Sequence, residues 1–154
     1  MSLSTGESLW TYEEAGGDRL WELTLGDLLR TAAAEHPGRA ALVDAGPDPS
    51  QRRSWTYTEL LSEAERVARA LLLRFRPGER VAVWAPNCAE WVLLQQGVSL
   101  AGLVLVTVNP ANRQRELDHV LQQSRAAGIF FAPEYRGFDM AEAVRTAKGK
   151  APEL

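Results

Sequence analysis

The most regular pattern of hydrophobic and polar positions in the chain lies between residues 56 and 75. Apolar residues recur there every three or four positions, and charged residues occupy the other side. Thr56 and Glu59 have the spacing of a capping box, which satisfies free amides at a helix start. Pro77 and Gly78 are typical of a helix end. The pattern predicts a long helix that buries one face.

A shorter helix and a hairpin are predicted before it. Thr24 and Asp27 have the capping-box spacing ahead of a leucine-rich stretch, which stops at Pro-Gly in residues 37–38. Two short β-prone runs, residues 40–43 and 53–57, flank a turn rich in proline and glycine. This arrangement predicts an antiparallel hairpin with a long loop.

From Arg80 onward the chain alternates between continuous apolar runs and helical patterns. The runs are residues 81–84, 103–108 and 129–131. Such runs are typical of strands buried on both faces. We expect the first intervening helix to be capped by Asn87 and to run to Gly102, and a weak last helix to cover residues 140–147. The order β-α-β-α-β predicts an α/β fold with a parallel sheet and right-handed crossovers.

Length and composition set the limits of the fold. The 154 residues suffice for one domain, predicted over residues 24–154, after an N-terminal arm over residues 1–23. With 45% hydrophobic residues the chain is not disordered, and a net charge of -3 argues against a nucleic-acid binder. Cys88 is the only cysteine, so an intrachain disulfide is excluded.

No targeting or membrane segment is predicted. The first residues lack the basic and apolar regions of a secretory signal. Residues 91–112 carry no charge, but glutamines and glycines interrupt them, and a membrane-spanning helix needs about 20 predominantly apolar residues. We therefore expect a cytoplasmic protein.

Most motifs for nucleotide chemistry are missing. The sequence contains no G-x-x-x-x-G-K-[ST], no G-x-G-x-x-G and no Ser/Thr/Gly-rich loop that ends in lysine. Lys148 and Lys150, the only lysines, fall in a polar tail. We interpret His36 and His119 as ordinary surface histidines. Cys88 has no histidine nearby in sequence, so we expect a small buried or half-buried residue there, and we predict no catalytic residue and no metal ligand.

The carboxyl ends of the predicted parallel strands form the best candidate binding surface, because ligands approach open α/β sheets there. Arg113 and Arg115 follow the second of these ends. They are candidates for binding a phosphate at a helix start, although solvated helix charges explain them as well.

Ordered segments of the chain resemble adenylate-forming enzymes. Residues 55–60 (WTYTEL) resemble the first core motif of that superfamily and residues 99–110 (SLAGLVLVTVNP) the second, while residues 77–83 (PGERVAV) and 86–91 (PNCAEW) follow its strand-and-helix pattern. The ending Val-Asn-Pro and the segments 115–117 (REL) and 121–124 (LQQS) are similar to the fatty-acyl-CoA synthetase branch. The resemblance implies the N-terminal part of a large AMP-binding domain, cut before its phosphate-binding loop.

Full-length members use Mg-ATP to activate a fatty acid as an acyl-adenylate and then transfer the acyl group to coenzyme A. For this chain the resemblance implies a scaffold without activity of its own, whose partner is the remainder of its enzyme chain. Arg113 and Arg115 are candidates for binding the coenzyme A phosphates, although the family does not fix a residue at either position. We expect the exposed apolar surface to favour self-association. A free-standing nucleotide-binding α/β module and a non-catalytic interaction domain remain open alternatives.

Overall fold

A computed structural model describes residues 22–45, 48–151 and 153–154. Most of the predicted N-terminal arm, residues 1–21, and the centre of the predicted hairpin turn, residues 46–47, lie outside the described residues. The helices are α1 (Leu25–Glu35), α2 (Tyr57–Leu72), α3 (Ala89–Leu100), α4 (Gln114–Ser124) and α5 (Met140–Lys148). The strands are β1 (Ala40–Asp44), β2 (Arg53–Thr56), β3 (Arg80–Trp84), β4 (Val104–Val108), β5 (Gly128–Phe131), β6 (Glu134–Tyr135) and β7 (Phe138–Asp139).

A three-stranded parallel sheet with the order β4-β3-β5 forms the centre of the fold. Val83 of β3 lies opposite Thr107 of β4 on one side and Phe130 of β5 on the other. The pairs β1-β2 and β6-β7 form separate antiparallel sheets. The predicted α/β class, parallel sheet and preceding hairpin are therefore confirmed.

Strand β3 is buried on both faces, as its continuous apolar run predicted. Val81 and Val83 pack in one hydrophobic cluster with side chains of α2 and α3. Ala82 and Trp84 belong to a second cluster with side chains of α4 and α5. Because alternate residues of a strand point to opposite faces, one five-residue strand joins both clusters.

The two predicted capping boxes are present. The Thr24 hydroxyl accepts from the Asp27 amide at 3.1 Å, and the Thr56 hydroxyl accepts from the Glu59 amide at 3.3 Å. In return the Glu59 carboxylate accepts from the Thr56 amide at 2.8 Å. Both helix starts were therefore encoded by local sequence.

The cap of α3 differs from the prediction. Cys88, in an extended conformation with φ -154° and ψ 164°, holds the N-cap position, and its side chain makes no capping bond. The predicted cap, Asn87, lies one residue earlier. The helix also ends at Leu100, since the turn that follows places Gly102 at φ +66°, in the left-handed region that glycine adopts without strain.

Close contact between α2 and α3 depends on Gly97. A Cβ atom at this position would overlap the side chain of Val67 and lie 3.2 Å from the carbonyl oxygen of Ala64. The two helices approach each other at a position where only glycine fits.

We expect Gly97→Ala to lower the free energy of unfolding by about 1–2 kcal/mol, because the overlap outweighs the better helix propensity of alanine. Gly38→Ala is the matched control, since a Cβ atom there meets nothing within 4 Å. Urea unfolding of both variants checks the expectation. Equal stability of the two variants would contradict it.

Candidate functional site

The carboxyl ends of the three parallel strands meet at one edge of the sheet. Trp84, the last residue of β3, is in register with Val108 of β4 and Phe131 of β5. The loops that follow these strands therefore start side by side, as the sequence predicted. Open α/β sheets bind ligands at this edge.

Trp84 holds the loops at this edge of the sheet in position. Its side chain is fully buried, and its indole Nε1–H donates to the carbonyl oxygen of Asn109 at 3.0 Å. Its ring meets the ring of Phe138 edge-on, with 6.2 Å between centroids. One side chain thus fixes both the loop after β4 and the β6-β7 hairpin.

The loop after β4 is held further by its own side chains. The Asn109 Oδ1 atom accepts from the Ala111 amide at 2.9 Å, which closes a tight turn. At the start of α4 the Glu116 carboxylate accepts from the Arg113 amide at 2.9 Å, and this bond lowers the pKa of Glu116. An acidic side chain therefore already occupies the helix start at which a phosphate was expected.

The two predicted arginines do not converge on one site. The guanidinium of Arg113 lies over the ring of Phe138, 4.5 Å from its centroid. Arg115 lines an open hollow of about 670 Å³ beside His119 and Asn112. Arg115 and His119 were not predicted to lie together, although residues four apart share a helix face.

The last helix and its end are more ordered than a polar tail. Lys148 is the final residue of α5, and Lys150 Nζ donates to the Asp118 carboxylate of α4 at 2.6 Å. Gln114 bridges the same carboxylate, at 2.7 Å, to the carbonyl oxygen of Ala143, at 3.2 Å. These bonds attach α5 to α4.

An apolar groove of about 560 Å³ runs along β5 on the face of the sheet that carries α2 and α3. Its lining residues are Val67, Val83, Ala85, Cys88, Glu90, Trp91, Leu93, Leu94, Phe130, Phe131, Ala132 and Pro133. Phe130 and Phe131 remain 41% and 39% exposed. Cys88, which was predicted to be buried or half-buried, is half-buried. The groove itself was not predicted, because the elements that line it are distant in sequence.

Arg53 connects the β1-β2 hairpin to the start of α3. Its guanidinium donates to the carboxylates of Asp44 and Glu90, both at 2.6 Å, and lies 5.4 Å from the ring centroid of Trp55. The hydrogen bond from Arg53 is the main cause that lowers the pKa of Glu90.

The described parts of the chain contain no group of three or more His, Cys, Asp or Glu side chains placed to hold a metal ion. Among the helices in the same ranges, none has the length and apolar character needed to cross a membrane.

Comparison with known proteins identifies the family of the chain. Residues 29–153, most of the chain, match the sequence family described as AMP-binding enzyme. The chain belongs to the AMP-binding enzyme family. The resemblance of its motifs to adenylate-forming enzymes is therefore confirmed.

Relatives in the AMP-binding family are much longer than this chain. The medium-chain acyl-CoA ligase ACSF2, mitochondrial, of Rattus norvegicus is 35% identical over 114 residues, which are 73% of this chain and 18% of the ligase. The apo structure of Mycobacterium smegmatis MbtA has a TM-score of 0.76 and 34% identity, over 92% of this chain and 25% of MbtA. The chain thus spans a quarter or less of these two relatives.

The fold of this chain also matches a solved N-terminal domain of an adenylate-forming enzyme. The N-terminal domain of FACL13 from Mycobacterium tuberculosis, bound to an inhibitor, has a TM-score of 0.73 and 27% identity, over 85% of this chain and 32% of that domain's chain. The chain corresponds to an N-terminal portion of acyl-CoA synthetases and other adenylate-forming enzymes, as expected.

The lowered pKa of Glu90 predicts a dependence of stability on pH. A carboxyl group whose folded pKa lies below its ordinary value of 4.5 stabilises the fold above that value, and this contribution is lost as pH falls through the folded pKa. We expect Arg53→Gln to be less stable than the parent at pH 7, and this difference to shrink as the pH falls below 4.5 and through the lowered pKa of Glu90.

Urea unfolding of both proteins between pH 7 and pH 3 measures this convergence. Arg66→Gln is the control, because it removes an arginine that pairs with Glu63 within one helix. A stability difference between Arg53→Gln and the parent that stays constant with pH would show that Glu90 does not carry the effect.

Proposed function

We propose that the chain is the N-terminal portion of an ATP-dependent acyl-CoA ligase and that it acts as a scaffold, with no adenylating activity alone. In the complete enzyme, a fatty acid carboxylate attacks the α-phosphate of ATP, pyrophosphate leaves, and the acyl group of the acyl-adenylate passes to the coenzyme A thiol with release of AMP. The chain supplies packed strands and helices beneath the elements that perform these steps.

One observation carries this proposal: most of the chain matches the AMP-binding enzyme family, yet the chain spans only a small share of the ligases that it resembles. The match covers residues 29–153, and the aligned part of the chain corresponds to 18% of the length of the rat ligase. A free-standing nucleotide-binding module would instead be expected to match relatives of its own size.

The described residues do not fit Mg-ATP as a resident cofactor. The Glu116 carboxylate occupies the amide at the start of α4, and Lys150 is bound to Asp118. Asn109 uses its Oδ1 atom within its own turn. We therefore assign no step of nucleotide binding to these residues and place the phosphate-binding groups in the rest of the enzyme.

Coenzyme A is the cofactor for which this portion of the enzyme offers binding residues. We propose that Arg115, with His119 beside it in the open hollow, binds a phosphate of coenzyme A, and that Arg113 is the second candidate. A guanidinium forms charge-assisted bonds with phosphate in the geometry that both groups favour.

The remaining proposals concern the surroundings of the chain. Large apolar side chains stay exposed at Leu73, Val104, Phe130 and Phe131, which supports self-association of the 154-residue chain. A cytoplasmic location stays a prediction, because the rat relative is a mitochondrial protein by its name.

We expect the 154-residue chain to catalyse no pyrophosphate exchange into ATP above background with fatty acids of any length, because it lacks a lysine-bearing phosphate loop. The polypeptide extended along its natural reading frame is expected to catalyse the exchange. ATP titration monitored by tryptophan fluorescence separates the alternatives. Tight ATP binding by the 154-residue chain would support a free-standing nucleotide-binding module and overturn the proposal.

In the complete enzyme we expect Arg115→Gln to raise the KM for coenzyme A about tenfold, with kcat and the KM for ATP nearly unchanged, since one charged hydrogen bond to phosphate is lost. Arg113→Gln tests the second candidate in the same way. Arg66→Gln, on the distant helix α2, is the control. An unchanged KM for coenzyme A in both variants would remove the two arginines from the cofactor site.

A further inference from the structure

The amino ends of the parallel strands form a second edge of the sheet, opposite the candidate functional site. Strand β3 begins at Arg80, which is in register with Val104 at the start of β4. The Gly78 amide donates to the carbonyl oxygen of Gly102 at 2.8 Å, and the Ala127 amide donates to that of Arg80, also at 2.8 Å. The segments that lead into the three strands are therefore joined in one surface. We call this surface the amino edge; it comprises residues 72–80, 101–104 and 125–128.

Positive charge is concentrated at the amino edge. Its four basic side chains are exposed arginines, namely Arg74, Arg76, Arg80 and Arg125. None of the four forms an ion pair with a carboxylate of the described residues. Glu79 is the only acidic residue of the amino edge, and its carboxylate accepts from the Arg76 amide at 2.6 Å. The edge is therefore basic, although the whole chain has a net charge of -3.

Large apolar side chains are exposed between these arginines. Leu73 is 87% exposed, more than any other large hydrophobic residue in the described ranges, and Leu72 and Val104 are each 47% exposed. Phe75, two residues later, is packed inward, because a Cβ atom at Gly128 would overlap its ring. This contact attaches the segment to the start of β5, while Leu73 remains in solvent.

We propose that the amino edge docks on the surface of an anionic lipid bilayer. The arginines bind the phosphates of lipid head groups through charge-assisted hydrogen bonds. Leu72 and Leu73 enter the boundary between head groups and acyl chains, where their apolar surface leaves water. Exposed apolar side chains surrounded by basic ones are the combination that binds this interface.

An anionic bilayer is favoured over two other occupants of the amino edge. A nucleic acid or another soluble polyanion would bind the arginines but would leave Leu73 in water. A second copy of the chain, related by a twofold axis, would set the four arginines against their own equivalents. A lipid surface accommodates the positive charges and the apolar side chains together.

Docking through the amino edge leaves the candidate functional site accessible. A strand rises about 3.3 Å per residue, so the five residues of β3 separate the two edges of the sheet by about 15 Å. The loops after the strands then face away from the bilayer and remain open to water-soluble ligands. The inference depends on the charges and exposed side chains of the amino edge, and not on the reaction proposed for the enzyme.

Co-sedimentation with lipid vesicles tests the docking. The protein is the polypeptide encoded by the complete natural reading frame, and no substrate is added. Vesicles of phosphatidylcholine are compared with vesicles that contain about one third phosphatidylglycerol. We expect at least about tenfold tighter binding to the anionic vesicles at about 0.1 M salt, and release at about 0.5 M salt, because salt screens the attraction. Equal binding to both kinds of vesicle, or binding to neither, would overturn the proposal.

An arginine variant tests the contribution of charge. Arg74→Gln combined with Arg76→Gln is expected to weaken binding to the anionic vesicles at least about tenfold, since each arginine near such a surface contributes roughly fivefold. Arg30→Gln combined with Arg66→Gln is the matched control. It removes the same charge, but from arginines that pair with Glu65 and Glu63 outside the amino edge. Equal loss of binding in the two double variants would show that net charge, and not this surface, attracts the vesicles.

A leucine variant distinguishes the bilayer from a soluble polyanion. Leu73→Gln is expected to weaken vesicle binding about tenfold, because apolar burial is lost, and to leave binding to soluble heparin unchanged. Leu28→Gln, which changes an exposed leucine of α1, is the control. An unchanged vesicle affinity of Leu73→Gln, with heparin binding lost in the arginine variant, would assign the amino edge to a soluble polyanion and overturn the proposal. A protein that binds vesicles but proves inactive would refute only the proposed function.

Discussion

The fold depends on the burial of one strand from both sides. All side chains from Val81 to Trp84 are at most 3% exposed, and alternate ones belong to two different hydrophobic clusters. A strand of this kind tolerates neither a polar residue nor a change of register, because a shift by one residue would exchange its two faces. The helices on each face, and the loops at its carboxyl end, take their positions from it.

Much of this architecture could be predicted from local sequence, because its signals act over short distances. The capping boxes at Thr24 and Thr56 need only a partner three residues away, and both are present. Continuous apolar runs predicted the strands of the parallel sheet. The cap of α3 was misplaced by one residue, since the extended N-cap position belongs to Cys88, whose side chain makes no capping bond and therefore leaves no sequence signal. Helix boundaries depend on such small conformational preferences.

The candidate site was less predictable, because it is assembled by contacts between distant residues. Arg53 reaches Glu90 across 37 positions, and Lys150 reaches Asp118 across 32. The contact of Arg113 with Phe138 depends on the β6-β7 hairpin, which no pattern indicated. Membership in the AMP-binding family could instead be predicted from ordered motifs, because recognising these motifs requires no knowledge of the contacts.

Cys88 gives the groove a built-in chemical label. It is the only thiol in the chain, it is half-buried, and it lines the apolar surface beside Trp91. A thiol-reactive dye therefore attaches at a single known place, next to a natural fluorophore. Energy transfer between indole and dye, together with the rate of alkylation, reports access to this surface in real time without any engineered residue.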